Sequence, residues 1–326
     1  MSASQTDIST PPGAQTGETW PNFLVIGAPK SGTTSLYHYL SQHPDVFLSP
    51  VRKEGRFFSG IGEGAVYWPR YYHFDTAPGV ADYQSLFETH AGESHIGDVS
   101  PDYYAYADIA APRALNYCGP HTRIIALLRN PVERTYSHYL QNVRRDAEFA
   151  SFARALDDEP RRIAQNWGFQ WLYADTSCYA RRIAVWKTHF PHALVLLQDE
   201  LDADTPGVVA RVQDYLGLTP HPVEVSKRYN TGGIPRSRLA VLDGLFDARA
   251  TDPFEDIHAQ YIAPRDTASQ DAPTADGVYP PLVEGEITIP PMPEAVRDQL
   301  VTRFEPEIAA LERLLDRNLD IWRPGP

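Results

Sequence analysis

Two short, unbroken apolar runs each stop at a turn-forming segment: Phe23-Leu24-Val25-Ile26 leads into Gly27, and Ile124 through Leu128 leads into Arg129, Asn130 and Pro131. Runs of this length without polar alternation predict strands buried on both faces, as in a parallel sheet covered by helices. Toward the C-terminus the period changes. Leu300, Phe304, Ile308, Leu311 and Leu315 recur at helical spacing between Pro293 and Trp322, which predicts an amphipathic helix. From Gln141 to Gln165 the pattern is again helical but highly charged, and Arg144-Arg145 and Arg161-Arg162 read as a solvated face with intrahelical ion pairs. Residues 1–20 lack apolar periodicity and read as a flexible tail. Residues 21–326 read as one domain, with proline-rich, acidic 251–293 as an irregular insertion or surface loop. Trp68, Tyr71, Tyr72 and Phe74 cluster in sequence; they read as packing residues more readily than as the lining of an acceptor cleft.

The segment after the first run carries the most chemistry. Gly27 to Leu36 reads as a tight loop and a helix start, with Lys30 inside the loop. Unsatisfied N–H groups and the dipole at a helix N-terminus favour an anion, and glycines let the chain wrap closely around a phosphate. Lys30, Ser31, Thr33 and Thr34 supply side-chain donors, with Gly32 and Ser35 in the same turn. Gly27 and Gly32 keep the spacing of a nucleoside-triphosphatase P-loop, but Thr33 stands where that loop has its lysine. The loop is therefore expected to grip phosphate without the usual triphosphate and magnesium apparatus. The bland alternative is a glycine turn that binds nothing.

The second run ends at Arg129, at the carboxyl end of a strand, which is where open α/β sheets bind ligands. Asn130, Pro131 and Glu133 suit the N-cap, first and third positions of a following helix. An arginine fork matches a phosphate dianion well. Taken alone, Arg129 is at least as consistent with a surface ion pair.

Together these residues resemble a known family. Gly27 to Thr34, G-A-P-K-S-G-T-T, is similar to the 5′-phosphosulfate loop of sulfotransferases that use 3′-phosphoadenosine 5′-phosphosulfate, PAPS. Arg129 and Ser137 occupy the two positions of that family's 3′-phosphate motif, an arginine ending a strand and a serine eight residues on. Lys53 to Phe58, K-E-G-R-F-F, resembles the K-E-x-x-F-F motif of heparan-sulfate-type and related bacterial members, in which the glutamate is the catalytic base. That position is Glu54 here. No match to the histidine motif of aryl and steroid sulfotransferases is found. Gly97 to Tyr104 resembles the acceptor-side segment G-E-K-[ST]-P-x-Y, with Asp98 at the glutamate position and Val99 in place of the lysine. Tyr179 to Pro191, with Ala193 to Leu197, resembles the helix and strand before the last core crossover. Tyr229 to Arg238 resembles the loop that closes over the nucleotide, which adds Arg236, Ser237 and Arg238 to the candidate nucleotide-binding residues.

The resemblance implies an α/β, P-loop-like three-layer fold with a central parallel sheet flanked by helices. It implies PAPS as co-substrate, no metal, and catalytic roles for Lys30 and Glu54. Lys30 would offset charge on the departing 5′-phosphate, and Glu54 would take the proton of an acceptor hydroxyl, whose own pKa lies far above neutrality. Arg129 and Ser137 would hold the 3′-phosphate. Two rival expectations are a nucleotide phosphotransferase on the same fold and a catalytically silent PAP-binding protein.

Composition narrows the partners. The 326-residue chain has a formal charge of −13, which repels nucleic acid, anionic lipid and polysulfated acceptors while leaving room for a local basic cleft. A carbohydrate, glycolipid or small-metabolite acceptor is therefore expected rather than heparan sulfate itself. Cys118 and Cys178 are the only cysteines, in no metal-binding or redox spacing. The polar N-terminus has neither the basic start nor the apolar core of a leader or anchor, so a cytoplasmic protein without integral membrane association is expected.

Overall fold

The computed structural model describes residues 18–61, 79–145, 147–227, 229, 232–235, 242 and 287–323. Residues 1–17, the aromatic group Trp68, Tyr71, Tyr72 and Phe74, residues 251–286, and Arg236, Ser237 and Arg238 lie outside the described residues.

Five parallel strands form the central sheet: β1 Phe23–Gly27, β2 Val46–Leu48, β3 His95–Val99, β4 Arg123–Leu128 and β5 Leu194–Leu197. Their order is β2-β3-β1-β4-β5. Both apolar runs are strands, and β1 is buried along its whole length. Alternate residues of β1 and β4 serve opposite cores. Leu24, Ile26, Ile124, Ala126 and Leu128 pack on one face, and Phe23, Val25, Ile125 and Leu127 on the other.

The helices that cover these faces are α1 Thr33–Leu40, α2 Val80–Ser85, α3 Asp102–Ala105, α4 Ala107–Cys118, α5 Pro131–Arg144, α6 Phe152–Asp157, α7 Glu159–Ala164, α8 Tyr179–His189, α9 Gln198–Ala203, α10 Thr205–Leu216 and α11 Glu294–Leu315. Helices α4, α5, α8 and α11 share the first core, through Ala110, Leu140, Trp186 and Phe304. Helices α1 and α10 share the second, through Leu36 and Val212. The C-terminal helix buries Leu300, Phe304, Ile308 and Leu311 of the five residues its spacing singled out, and Leu315 is half-buried against the same core. None of the described helices is long and apolar enough to cross a membrane.

From β1 the chain winds out to β2 and β3 on one side of the sheet, then crosses to β4 on the other. The carboxyl ends of β1 and β4 therefore flank a topological switch point, the crevice where such sheets bind ligands. Helix α5 starts there by local chemistry alone. Asn130 Oδ1 accepts from the amides of Val132 at 3.0 Å and Glu133 at 3.3 Å, and Pro131 takes the first helical position. The same Asn130 donates through Nδ2 to the Trp322 carbonyl at 3.0 Å, which ties the C-terminal segment to the crevice wall.

The charged stretch from Gln141 to Gln165 is not one solvated helix. Helix α5 ends at Arg144, and two short helices follow. Arg161 does make a surface pair with Asp158 at 2.9 Å. Arg162, by contrast, is fully buried against Glu148 at 2.8 Å, beneath Trp167 and Trp171. Glu148 also accepts from Tyr173 Oη at 2.8 Å and from the amides of Phe149 and Ala150. Removing one partner of a buried pair strands the other charge. Glu148→Ala is thus expected to cost about 3–5 kcal/mol of stability, read as a lowered urea midpoint with an unchanged slope.

Candidate active site

A cleft of about 640 Å³ opens at the switch point, within the range of small-molecule and nucleotide sites. One wall is the turn after β1. Gly27 has φ 135°, and a Cβ there would lie 2.8 Å from Tyr104 Cβ and 2.9 Å from the Pro101 carbonyl, so only glycine lets the turn close against α3. Arg134 braces the turn from below by donating to the Pro29 carbonyl at 3.3 Å, and Arg129 Nη1 reaches the Lys30 carbonyl at 3.5 Å. Gly32 then caps α1, whose opening amides of Thr33, Thr34 and Ser35 precede any intrahelical acceptor.

Lys30, Gly32, Thr33, Thr34, Ser35, Arg129 and Ser137 all line this cleft. Ser31 does not; it is fully buried, and its Oγ has no hydrogen-bond partner. Burial, together with crowding by Arg145, Arg129, Arg144 and Arg134, brings the Lys30 ammonium down to about 7. No carboxylate pairs with Lys30 or Arg129 among the described residues. Lys30 and Arg129 beside the open amides of a helix start fit an anionic ligand such as a phosphate.

The opposite wall is the loop Lys53 to Arg56. Its backbone is pinned from the end of β3: Gly55 N donates to Asp98 Oδ1 at 3.2 Å, Arg56 N to Ser100 Oγ at 3.1 Å, and Phe57 N to Tyr103 Oη at 3.1 Å. Asp98 is a buried hub that also accepts from Tyr83, Ser100 and Tyr103. Burial raises its pKa against the pull of those donors. It therefore positions the loop rather than facing the cleft. Val99 points into the sheet core, fully buried.

Glu54 faces the cleft between two cations. Arg56 donates to its Oε2 through Nε at 2.9 Å and through Nη2, and Lys53 donates to Oε1 at 3.3 Å. Burial pushes the Glu54 carboxyl up, but Arg56 and Lys53 outweigh it and hold the group down at about 2. Lys53 also donates to Thr34 Oγ1 at 3.1 Å, which joins the base loop to the phosphate loop.

Among the cleft residues to which sequence reasoning gave no role are Lys53, Arg145 and His138. Lys53 had a signal, since it opens the K-E-G-R-F-F segment. Arg145, whose charged surroundings predict a solvated face, instead lines the cleft and heads the charges acting on Lys30. His138 adjoins Ser137, and burial, with Arg134 beside it, pushes its pKa well below the ordinary range. Arg134 approaches its Nδ1 at 3.4 Å, which assigns the proton of the neutral ring to Nε2. Among the described residues no three His, Cys, Asp or Glu side chains are grouped to hold a metal.

The chain is similar to known proteins in sequence and in fold. Residues 21–230 match the family described as "Sulfotransferase domain". The chain is 30% identical over 206 residues to human "Heparan sulfate glucosamine 3-O-sulfotransferase 6", covering 61% of this chain and 53% of that protein. It is 31% identical over 211 residues to human "Bifunctional heparan sulfate N-deacetylase/N-sulfotransferase 3", covering 62% of this chain and 23% of that one. The chain thus spans about half, or less, of the length of these curated relatives. The crystal structure of a sulfotransferase from Alicyclobacillus acidocaldarius aligns with a TM-score of 0.69 at 27% identity, covering 94% of this chain and 100% of that one.

Proposed function

Because the chain belongs to the sulfotransferase domain family, a family of enzymes, we propose that it moves the sulfuryl group of PAPS to a hydroxyl or amine of a carbohydrate, glycolipid or small-metabolite acceptor and releases PAP. The observation that carries this reading is the placement of two opposed walls in one cleft. Lys30, Arg129 and Ser137 supply positive charge and donors on one side, and Glu54 stands on the other. Thr33, Thr34 and Ser35 surround the 5′-phosphate, Lys30 offsets the charge that grows on the bridging oxygen, and Arg129 with Ser137 takes the 3′-phosphate; Ser31, expected among these donors, lies buried behind the turn. Glu54 receives the acceptor proton as the new S–O bond forms. Catalysis is then mainly in-line positioning and charge stabilisation, as in phosphoryl transfer.

Transfer of label from radioactive PAPS to a metabolite pool tests the activity. Release of PAP with no labelled product, or labelling only from ATP with magnesium, would reject it. The 3′-phosphate assignment has its own test. Arg129→Ala is expected to weaken PAP by about 2–4 kcal/mol and AMP, which lacks that phosphate, far less. Equal losses for both nucleotides in calorimetry would place Arg129 elsewhere.

A further inference from the structure

Asp102 is a cleft-lining carboxylate to which no role has been given so far. It follows Pro101 at the start of α3, lines the same cleft as Glu54 and Lys53, and is 1% exposed. Neither of its oxygens has a hydrogen-bond partner. The other buried carboxylates among the described residues are each satisfied several times over. Asp98 accepts from Gly55, Tyr83, Ser100 and Tyr103. Glu148 has Arg162, Tyr173 and two amides, and Glu159 has Arg303 and the amides of Ala174 and Asp175. Lys53 and Arg56 bond to Glu54, and the Ser59 hydroxyl, though near enough to Asp102 to lower its pKa, donates to the Arg56 carbonyl at 3.1 Å.

A buried carboxylate that no protein group satisfies is costly unless something entering the cleft satisfies it. Local charge indicates what that is. Glu54, Asp98 and Asp102 act on one another across this corner, opposed by Lys53 and Arg56. Once Asp102 ionises, the three carboxylates outnumber the two cations, which leaves room for one more positive charge. From its own segment Asp102 faces the phenols of Tyr103 and Tyr106, whose ionisation it opposes. Burial pushes its carboxyl up to about 7, Arg56 and Ser59 pull it down, and Glu54 and Asp98 push it up. An anionic acceptor is repelled here, and a neutral one gains a hydrogen bond. An ammonium ionises the group and pairs with it in a low-dielectric site, where such a pair is strong.

We propose that Asp102 forms an acceptor subsite for an amino group, so that the cleft takes an acceptor with an ammonium close to the group it sulfates. This rests on the assignment of the cleft to a sulfotransferase. The PAP-saturated protein is titrated with 2-deoxystreptamine, a ring bearing amines and hydroxyls, and with myo-inositol, a neutral ring of hydroxyls. Deoxystreptamine is expected to bind at least about tenfold more tightly. Asp102→Asn, which keeps the shape and removes the charge, is expected to bring the two affinities together and leave PAP affinity unchanged. Normal PAP binding verifies that the variant is folded, and Asp102→Ser provides a second, smaller replacement. Equal binding of the two rings by the wild type, no binding of deoxystreptamine, or a preference that survives both substitutions would overturn the subsite. Should PAP itself fail to bind, the donor assignment falls instead, and the same titration of the free protein still decides the subsite.

Discussion

Glu54→Gln is expected to bind PAP as the wild type does and to lose about 10²–10⁴-fold in sulfate transfer. The amide keeps the shape of the carboxylate and can still accept on one oxygen, so the loop pinned by Asp98, Ser100 and Tyr103 has no reason to move. What disappears is the ability to take a proton. With its ordinary pKa pulled down to about 2, Glu54 is a weak base toward a resting hydroxyl. The relevant acid is different: as the acceptor oxygen bonds to sulfur, its proton becomes far more acidic, and a weak base already ionised and aligned suffices. The same value makes a second expectation. A group held at about 2 stays charged from pH 4 upward, so any acid limb of kcat/KM in that range belongs to another group. Single-turnover transfer from PAPS, paired with PAP calorimetry, checks the substitution. Wild-type turnover in Glu54→Gln would move the base elsewhere, with Asp102 and His138, two cleft-lining groups shifted by burial, as the next candidates.

The parts of this site that were legible in the sequence are those whose chemistry is contiguous. The turn from Gly27 to Thr34 and the start of α5 at Asn130-Pro131 carry strand, cap and ligand signals within a dozen residues, because a helix start is built by its own local groups. Residues whose role depends on what packs against them were not legible. Arg162 and Arg145 belong to similar pairs of adjacent arginines, and only the fold sends one beneath Trp171 and the other to the cleft. Asp98 and Asp102 lie four residues apart, both buried. One is met by three hydroxyls and an amide, the other by none; Ser100 and Tyr103 are near Asp98 in sequence, but Tyr83 and the Gly55 amide reach it from α2 and from the loop Lys53 to Arg56, both distant. The wrong expectation for 141–165 has the same origin. Charge density predicts solvation only until a complementary charge, here Glu148, is buried with it.

Lys30→Ala is expected to lower kcat by about 10²–10³-fold while PAP affinity falls less, since the charge that Lys30 offsets is greatest as the bridging bond breaks. A normal kcat with only a raised KM for PAPS would limit Lys30 to binding. Its environment adds a pH signature that alanine removes. In the free protein, burial and then the surrounding arginines hold Lys30 at about 7, so at pH 8 most of it is neutral. A bound phosphate dianion raises that pKa, because an opposite charge at close range favours the ammonium. Binding above pH 7 therefore takes up a proton, and PAP affinity must fall as pH rises, by up to about tenfold per pH unit until the pKa of the complex is reached. Phosphate itself does not supply this slope, since its second ionisation is complete by then. Calorimetry between pH 7 and 9 in buffers of different ionisation enthalpy reads the proton uptake directly. Lys30→Ala should abolish it, as should Lys30→Arg, whose guanidinium stays charged throughout. An uptake that persists in both variants would assign the titrating group to another residue of the cleft.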